Sequence, residues 1–254
     1  MWDPAVYRRF GAERSRPFFD LTRQIGAEQP RAVTDLGCGP GELTATLAQR
    51  WPGARITGID SSPEMIAVAA AAGSPVDFRA GDVREWSPAP DTDVLVTNAV
   101  LQWVPGHDAL LTRWAAELPP GAWMAMQVPG NFDAPLHRAL REVGHRAAYG
   151  LDDLLRDAPV DDAAGYAAVL TAAGATVDAW ETTYVHLLPD IGDDHPVLRW
   201  TEGTALRPVR AALDDARWHA FRAELGELLA AAYPVRHGVV PFPFRRIFVV
   251  ARTS

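Results

Sequence analysis

The sequence contains no lysine: all 24 of its basic residues are arginine. Chemistry that runs through a side-chain amine, such as a Schiff base or the lysine of a phosphate-binding loop, is therefore excluded. Cysteine is nearly as scarce, since Cys38 stands alone and neither an intrachain disulfide nor a multi-cysteine metal site can be assembled. The histidines are scattered; His137, His145, His195, His219 and His237 show no ligand spacing backed by a carboxylate motif, which predicts no bound metal. No apolar run reaches the roughly 18 residues of a membrane span. The opening Met-Trp-Asp-Pro-Ala-Val-Tyr-Arg-Arg-Phe places acid and arginine where a secretory leader needs a basic tip and an apolar stretch. A cytoplasmic protein without membrane contact is expected. With a net charge of -8 and arginines clustered no further than pairs, nucleic acid is not expected as a partner either.

What is present suits one compact core with a modest extra lobe: 254 residues, 48% of them apolar. Residues 31–132 alternate short runs rich in Val, Ile and Leu with helical stretches, the pattern of a parallel sheet covered on both faces. Strands are predicted at 32–36, 55–59, 75–79, 93–98 and 121–127, and helices at 41–51, 63–72 and 107–117, the second opened by Ser-Ser-Pro with Pro63 in its first turn. Beyond Gln127 the character changes. A helix is predicted at about 134–148, then an Asp-rich loop, a helix at 162–173, a long strand at 175–188 and a last strand at 245–252. The expected fold is α/β, a Rossmann-like doubly wound sheet of five parallel strands plus two C-terminal strands. Residues 190–244 read as a helical cap with helices at 194–203 and 214–232 and a proline-rich turn at Pro241-Phe242-Pro243. The domain expectation is thus a lid segment at 1–30, a core at 31–189 plus 245–254, and the cap at 190–244.

The sharpest motif is Asp35-Leu36-Gly37-Cys38-Gly39-Pro40-Gly41-Glu42, at the end of the first strand and the start of the first helix. Glycines there let backbone approach a ligand. A nicotinamide fingerprint would continue Gly-x-Gly-x-x-Gly, but Glu42 occupies the last glycine's place and would repel a pyrophosphate from the helix start. A cofactor without phosphate, carrying a sulfonium and an amino-acid group, fits the carboxylate of Asp35 better: S-adenosylmethionine. Asp60, closing the second strand, can accept both ribose hydroxyls, with Ser61 beside it. Asp82, after the third strand, can accept from the adenine amine while the Val83 backbone meets the ring.

The Asp-x-Gly-x-Gly-x-Gly loop with its strand-end acids resembles the class I S-adenosylmethionine-dependent methyltransferases. More specific are Phe10-Gly-Ala-Glu-Arg-Ser-Arg-Pro17, Ile59-Asp-Ser-Ser-Pro63, Asn98-Ala-Val-Leu-Gln-Trp103, Trp180-Glu-Thr-Thr-Tyr-Val-His186, Leu206-Arg-Pro208 and Arg246-Ile-Phe-Val-Val-Ala251. Together they resemble the trans-aconitate 2-methyltransferase family from end to end. One residue departs from the pattern: Gly11 stands where a serine is expected. The resemblance implies that Asp35, Gly37, Gly39, Gly41, Asp60, Ser61, Asp82, Val83 and Asn98 hold the cofactor, and that the N-terminus and lobe segments shape a substrate pocket. It also implies monomethyl esterification of a small polycarboxylic acid, most closely trans-aconitate, with no protein partner.

A carboxylate acceptor is already ionised at neutral pH and needs no base. No His-Asp dyad stands at the exit of the fourth strand, where Gln102 and Trp103 offer positioning instead. The remaining carboxylates of a tricarboxylate need cations, and without lysine these must be arginines. Arg207 comes first, then Arg246 and Arg245, with Arg14 closing from the N-terminus; Tyr7, Tyr184, His186 and Tyr233 are neutral donors, and Trp103 is an apolar wall. Two other readings stay open: a methyltransferase for a different small acid, malonyl thioester or natural product, and a cofactor-binding regulator without turnover. A carrier-protein client would want a basic docking patch, and this chain has none.

Overall fold

The computed structural model describes residues 11–155 and 159–254. In chain order the elements are α1 (Gly11–Thr22), β1 (Ala32–Leu36), α2 (Glu42–Arg50), β2 (Arg55–Asp60), α3 (Pro63–Ala71), β3 (Asp77–Ala80), β4 (Thr92–Asn98), α4 (His107–Glu117) and β5 (Trp123–Pro129). There follow α5 (Pro135–Gly144), α6 (Ala163–Ala172), β6 (Thr176–Pro189), α7 (Pro196–Glu202), α8 (Leu206–Ala212), α9 (Asp215–Ala232) and β7 (Val239–Arg252). The strands form a seven-stranded sheet in the order β3-β2-β1-β4-β5-β7-β6. The first five are parallel, and β7 runs antiparallel to β5. The doubly wound sheet with two C-terminal strands is as the sequence predicts.

Two compact units partition the chain. The first holds Arg14–Pro129, Val160–Thr182 and Arg246–Ser254. Its central strand β1 is buried at every residue, which is why Ala-Val-Thr-Asp-Leu reads as a continuous run rather than an alternating one. Leu36, Leu95, Met124, Met126, Ile247 and Val249 from the sheet pack with Leu111 and Trp114 of α4 and Tyr166 and Leu170 of α6. Helix α3 begins where Pro63 fixes its first turn and the Ser62 hydroxyl caps the Met65 N–H at 3.3 Å.

The second unit contains Gly130–Pro159 and Thr183–Arg245. Leu136, Ala139, Leu140 and Val143 line one face of α5 at helical spacing, and Trp218, Phe221, Leu225 and Leu229 do the same on α9; both stripes join one core. Residues 190–244, the expected cap, lie in this unit, which begins earlier at Thr183 and also takes in 130–155.

Two features differ from expectation. Helix α8 is absent from the sequence pattern, because seven residues with apolar anchors only at Leu206 and Val209 give too short a period to detect. The expected turn at Pro241-Phe242-Pro243 is instead part of β7, which starts at Val239 rather than near 245. Phe242 and Val240 are fully buried, so the segment alternates as a strand does. Pairing of β7 with β5 covers only Arg246–Arg252, so the prolines sit where β5 asks no ladder hydrogen bond of them. Among the described residues no helix is long and apolar enough to cross a membrane.

Candidate active site

The glycine loop joins β1 to α2 in the first unit. Gly37, Gly39 and Gly41 all take positive φ, 79°, 55° and 80°. A Cβ on Gly37 would lie 2.0 Å from Val100 Cγ2, and one on Gly41 would lie 2.5 Å from Phe78 Cζ, so these two glycines are demanded by packing as well as by φ. A Cβ on Gly39 would meet nothing within 4 Å among the described residues, which leaves that backbone open to a ligand's approach. Asp60, at the end of β2, clamps the loop: its Oδ2 accepts the Gly39 N–H and its Oδ1 the Ser62 N–H, both at 2.9 Å. Ser61 is exposed beside it.

Asp35 is buried, and its Oδ2 accepts from the Thr44 hydroxyl at 2.6 Å. Burial pushes its carboxyl from 3.8 up to about 6; the Thr44 hydrogen bond opposes the rise and the negative charge of Asp60 adds to it. The same burial, with Asp35 and Asp60, pushes the Cys38 thiol up, so Cys38 is no nucleophile. Asp35 and Asp60 together make an electronegative niche that repels phosphate and favours a cation, as the sulfonium and ammonium of S-adenosylmethionine require. Asp82 is held by Arg84, whose backbone N–H and guanidinium both donate to it, and these bonds lower its carboxyl to about 2. Val83 is buried.

The exit of β4 packs against the same loop through Val100. Ala99 takes φ 58°, a strained value for a residue with a Cβ, and is fixed by its N–H to the Gln127 carbonyl at 2.8 Å and by Gln102 Nε2 to its own carbonyl at 2.7 Å. Asn98 Oδ1 is buried without a partner among the described residues. Gln102 is buried, whereas Trp103 is 54% exposed. Behind the exit, His107 Nδ1 sits 2.9 Å from the Val104 carbonyl and Nε2 2.6 Å from the Tyr166 hydroxyl, which also accepts the Asp161 N–H. The first contact places the proton on Nδ1, so Tyr166 donates to Nε2. Arg246 is buried at the start of the paired half of β7, with Nη1 3.4 Å from Gln127 Oε1.

The first unit thus carries every residue assigned to the cofactor together with Gln102, Trp103 and Arg246. The second unit carries most of the rest. Tyr184 and His186 are buried on one face of β6 with stacked rings 6.5 Å apart, and His186 stacks on Trp200 at 4.7 Å. Arg245 donates to the Gly130 carbonyl at 3.0 Å. Tyr233 is buried and accepts the Leu136 N–H at 3.0 Å, beside a cavity of about 380 Å³ also lined by Pro135, Arg236, Pro241 and Pro243. Arg207 is exposed in the first turn of α8. Tyr7 lies outside the described residues, and for Arg14 only its place in α1 is described. Sequence reasoning misses Thr44 and Gln127. Thr44 stands nine residues beyond Asp35 and meets it only because α2 folds back on β1; Gln127 reads in the sequence as no more than the last residue of a strand.

A parallel doubly wound sheet with an anionic glycine loop and acids at the ends of β2 and β3 defines a class I S-adenosylmethionine-dependent methyltransferase. A family model described as a methyltransferase domain matches residues 33–121. The trans-aconitate 2-methyltransferase of Mycolicibacterium gilvum is 58% identical over 261 aligned positions, covering 100% of both chains. The chain belongs to the trans-aconitate 2-methyltransferase family. Among solved structures, the YcgJ protein from Bacillus subtilis superposes with a TM-score of 0.62 at 13% identity, covering 94% of this chain and 98% of that one. The phosphoethanolamine N-methyltransferase 2 of Haemonchus contortus in complex with S-adenosyl-L-methionine gives 0.55 at 15% identity, covering 94% of this chain but 53% of the longer one. These two show a shared fold.

Proposed function

We propose that the protein methylates one carboxylate of trans-aconitate, forming the monomethyl ester and S-adenosylhomocysteine. The observation that carries this reading is the end-to-end match, at 58% identity, to a relative bearing that activity in its name. S-adenosylmethionine, when bound, supplies an electrophilic methyl group on a sulfonium. Asp35, Gly37, Gly39, Gly41, Asp60, Ser61, Asp82, Val83 and Asn98 are the residues assigned to hold it. The two carboxylates Asp35 and Asp60 favour its positive charge, and the open backbone at Gly39 admits close approach.

To the substrate we assign Arg207, Arg246, Arg245 and Arg14 as cations, Tyr7, Tyr184, His186 and Tyr233 as neutral donors, and Gln102 and Trp103 as positioning groups. Guanidinium forks match carboxylate oxygens bidentately. A carboxylate needs no base to become a nucleophile, so these residues act by orienting it in line with the methyl and by excluding water, which strengthens its attraction to the cation. Residues 190–244 act in this reading as a cap on the substrate side, and 1–30 as a lid. The acceptor is a small molecule.

The test is to incubate purified protein with S-adenosylmethionine and trans-aconitate, cis-aconitate, citrate, isocitrate or a malonyl thioester, following S-adenosylhomocysteine and ester mass. Fast, selective turnover of trans-aconitate is expected. Turnover of another acid in its place would refute the assigned substrate, and cofactor binding without any product would favour a regulator.

A further inference from the structure

Gln127 is third from the end of β5 and is 1% exposed. Its register partners are Asn98 on β4 and Phe248 on β7. Paired residues of neighbouring strands share a face, and residues two apart along a strand do too, so Asn98, Gln127, Phe248 and Arg246 all stand on one face of the sheet. This is the end of β4 and β5 at which parallel sheets bind their ligands.

The orientation of the Gln127 amide is fixed. Arg246 Nη1 lies 3.4 Å from Oε1, and a guanidinium can only donate, so the oxygen faces Arg246 and the NH2 faces elsewhere. That Nε2 is buried and has no hydrogen-bond partner among the described residues. A polar amide retained in a buried place with an unused donor costs stability, and an amide cannot shed the cost by changing its protonation. An acceptor entering this place would satisfy it. The guanidinium on the oxygen side of the same amide favours a negative charge on that acceptor, and a carboxylate, whose two oxygens only accept, can take an N–H from each residue.

We propose that Gln127, together with Arg246, binds a carboxylate of the acceptor that is not methylated, and so determines which carboxylate is. The inference rests on the polycarboxylate reading above. A carboxylate whose lone pairs are engaged by an amide N–H and a guanidinium is a poor nucleophile; holding it there leaves another carboxylate of the same molecule to meet the methyl group. Gln127 is thus a specificity-determining residue, and its role is distinct from that of Asn98, whose orphaned Oδ1 is an acceptor suited to a donor such as the cofactor's ammonium.

The experiment compares the wild-type enzyme with Gln127→Met, which keeps the length but cannot donate, and Gln127→Glu, which places an anion beside Arg246. Calorimetry gives the S-adenosylmethionine affinity, steady-state kinetics KM and kcat for trans-aconitate, and NMR the position of the ester. For Gln127→Met the expected result is a KM raised about tenfold or more, kcat changed far less, cofactor affinity unchanged and a mixture of regioisomeric esters. Gln127→Glu should raise KM further by repulsion, and it keeps the test decisive if the Met variant fails to fold. An unchanged KM with a single ester would overturn the proposal, as would a loss of cofactor affinity parallel to the loss of activity. Wild-type protein that does not methylate trans-aconitate would refute the underlying substrate reading instead, so the two failures are distinguishable.

Discussion

Asp35 is a buried carboxyl that costs the cofactor-free fold stability, and Asp35→Asn should make that visible. The carboxyl is buried, and its rise from 3.8 to about 6 has burial as its largest cause, with Asp60 adding to it and Thr44 opposing it. At about 1.4 kcal/mol per pH unit, that rise corresponds to roughly 3 kcal/mol. The sign follows from proton counting. Between about pH 4 and 6 the folded protein holds the Asp35 proton and the unfolded chain has released it, so the contribution of Asp35 to the stability of the cofactor-free protein falls as pH rises through this window and levels off above it. Asparagine keeps an oxygen for the Thr44 hydroxyl and carries no charge. The stability difference between Asp35→Asn and wild type should therefore widen by about 2 kcal/mol from pH 4 to pH 6.5, in favour of the variant, the rest of the effect falling below pH 4. For a chain of this size that is about 4 to 8 °C in melting temperature. Thermal unfolding in a pH series without cofactor measures it. Saturating S-adenosylmethionine should reverse the order at pH 7, because its cation pairs with the wild-type carboxylate and its binding stabilises only the protein that binds it. A difference that stays flat between pH 4 and 6.5 would refute the reasoning, since the pH dependence belongs to the buried carboxyl alone.

The glycine loop separates folding from binding. Gly39→Ala adds a Cβ that meets no atom of the described residues, so its cost is the positive φ, about 1 to 2 kcal/mol; Gly37→Ala adds a clash with Val100 and should destabilise by distinctly more in denaturant titrations. Both should lose cofactor affinity by calorimetry, Gly39→Ala because its Cβ occupies the space a ligand would approach; Gly39→Ala with intact affinity would refute that placement. Tyr166→Phe should cost about 1 to 3 kcal/mol, because it strands the buried His107 Nε2 and the Asp161 N–H at once. It should leave the cofactor affinity unchanged when measured well below the melting temperature.

Much of the candidate site is legible in the chain because its elements are local. The glycine loop must follow a strand and precede a helix, and Asp60 and Asp82 announce themselves at strand ends. The absence of lysine by itself leaves arginine as the side chain that carries a permanent positive charge. The period of the apolar residues locates all five parallel strands and the helices between them, with boundaries off by at most two residues where propensity is flat, as at β3. Where the period is too short or its residues unusual, sequence fails: α8 has seven residues, and two prolines disguise the first half of β7 as a turn.

What only the tertiary structure decided concerns residues whose meaning depends on a distant neighbour. Asp35 is an ordinary acid until α2 and β2 bury it beside Thr44 and Asp60; only then does its carboxyl rise to about 6. Ala99 is an unremarked residue until its φ of 58° and its bonds to Gln127 and Gln102 show the strand exit held under strain. Gln127 becomes a candidate for substrate recognition only when strand register sets it beside Asn98 and Arg246 and leaves its donor unused. Burial and hydrogen-bond satisfaction are properties of packed pairs far apart in the chain, and no local pattern encodes them. The sequence alone determined the class of fold, the place of the glycine loop between β1 and α2, and that arginine is the one strongly basic side chain available.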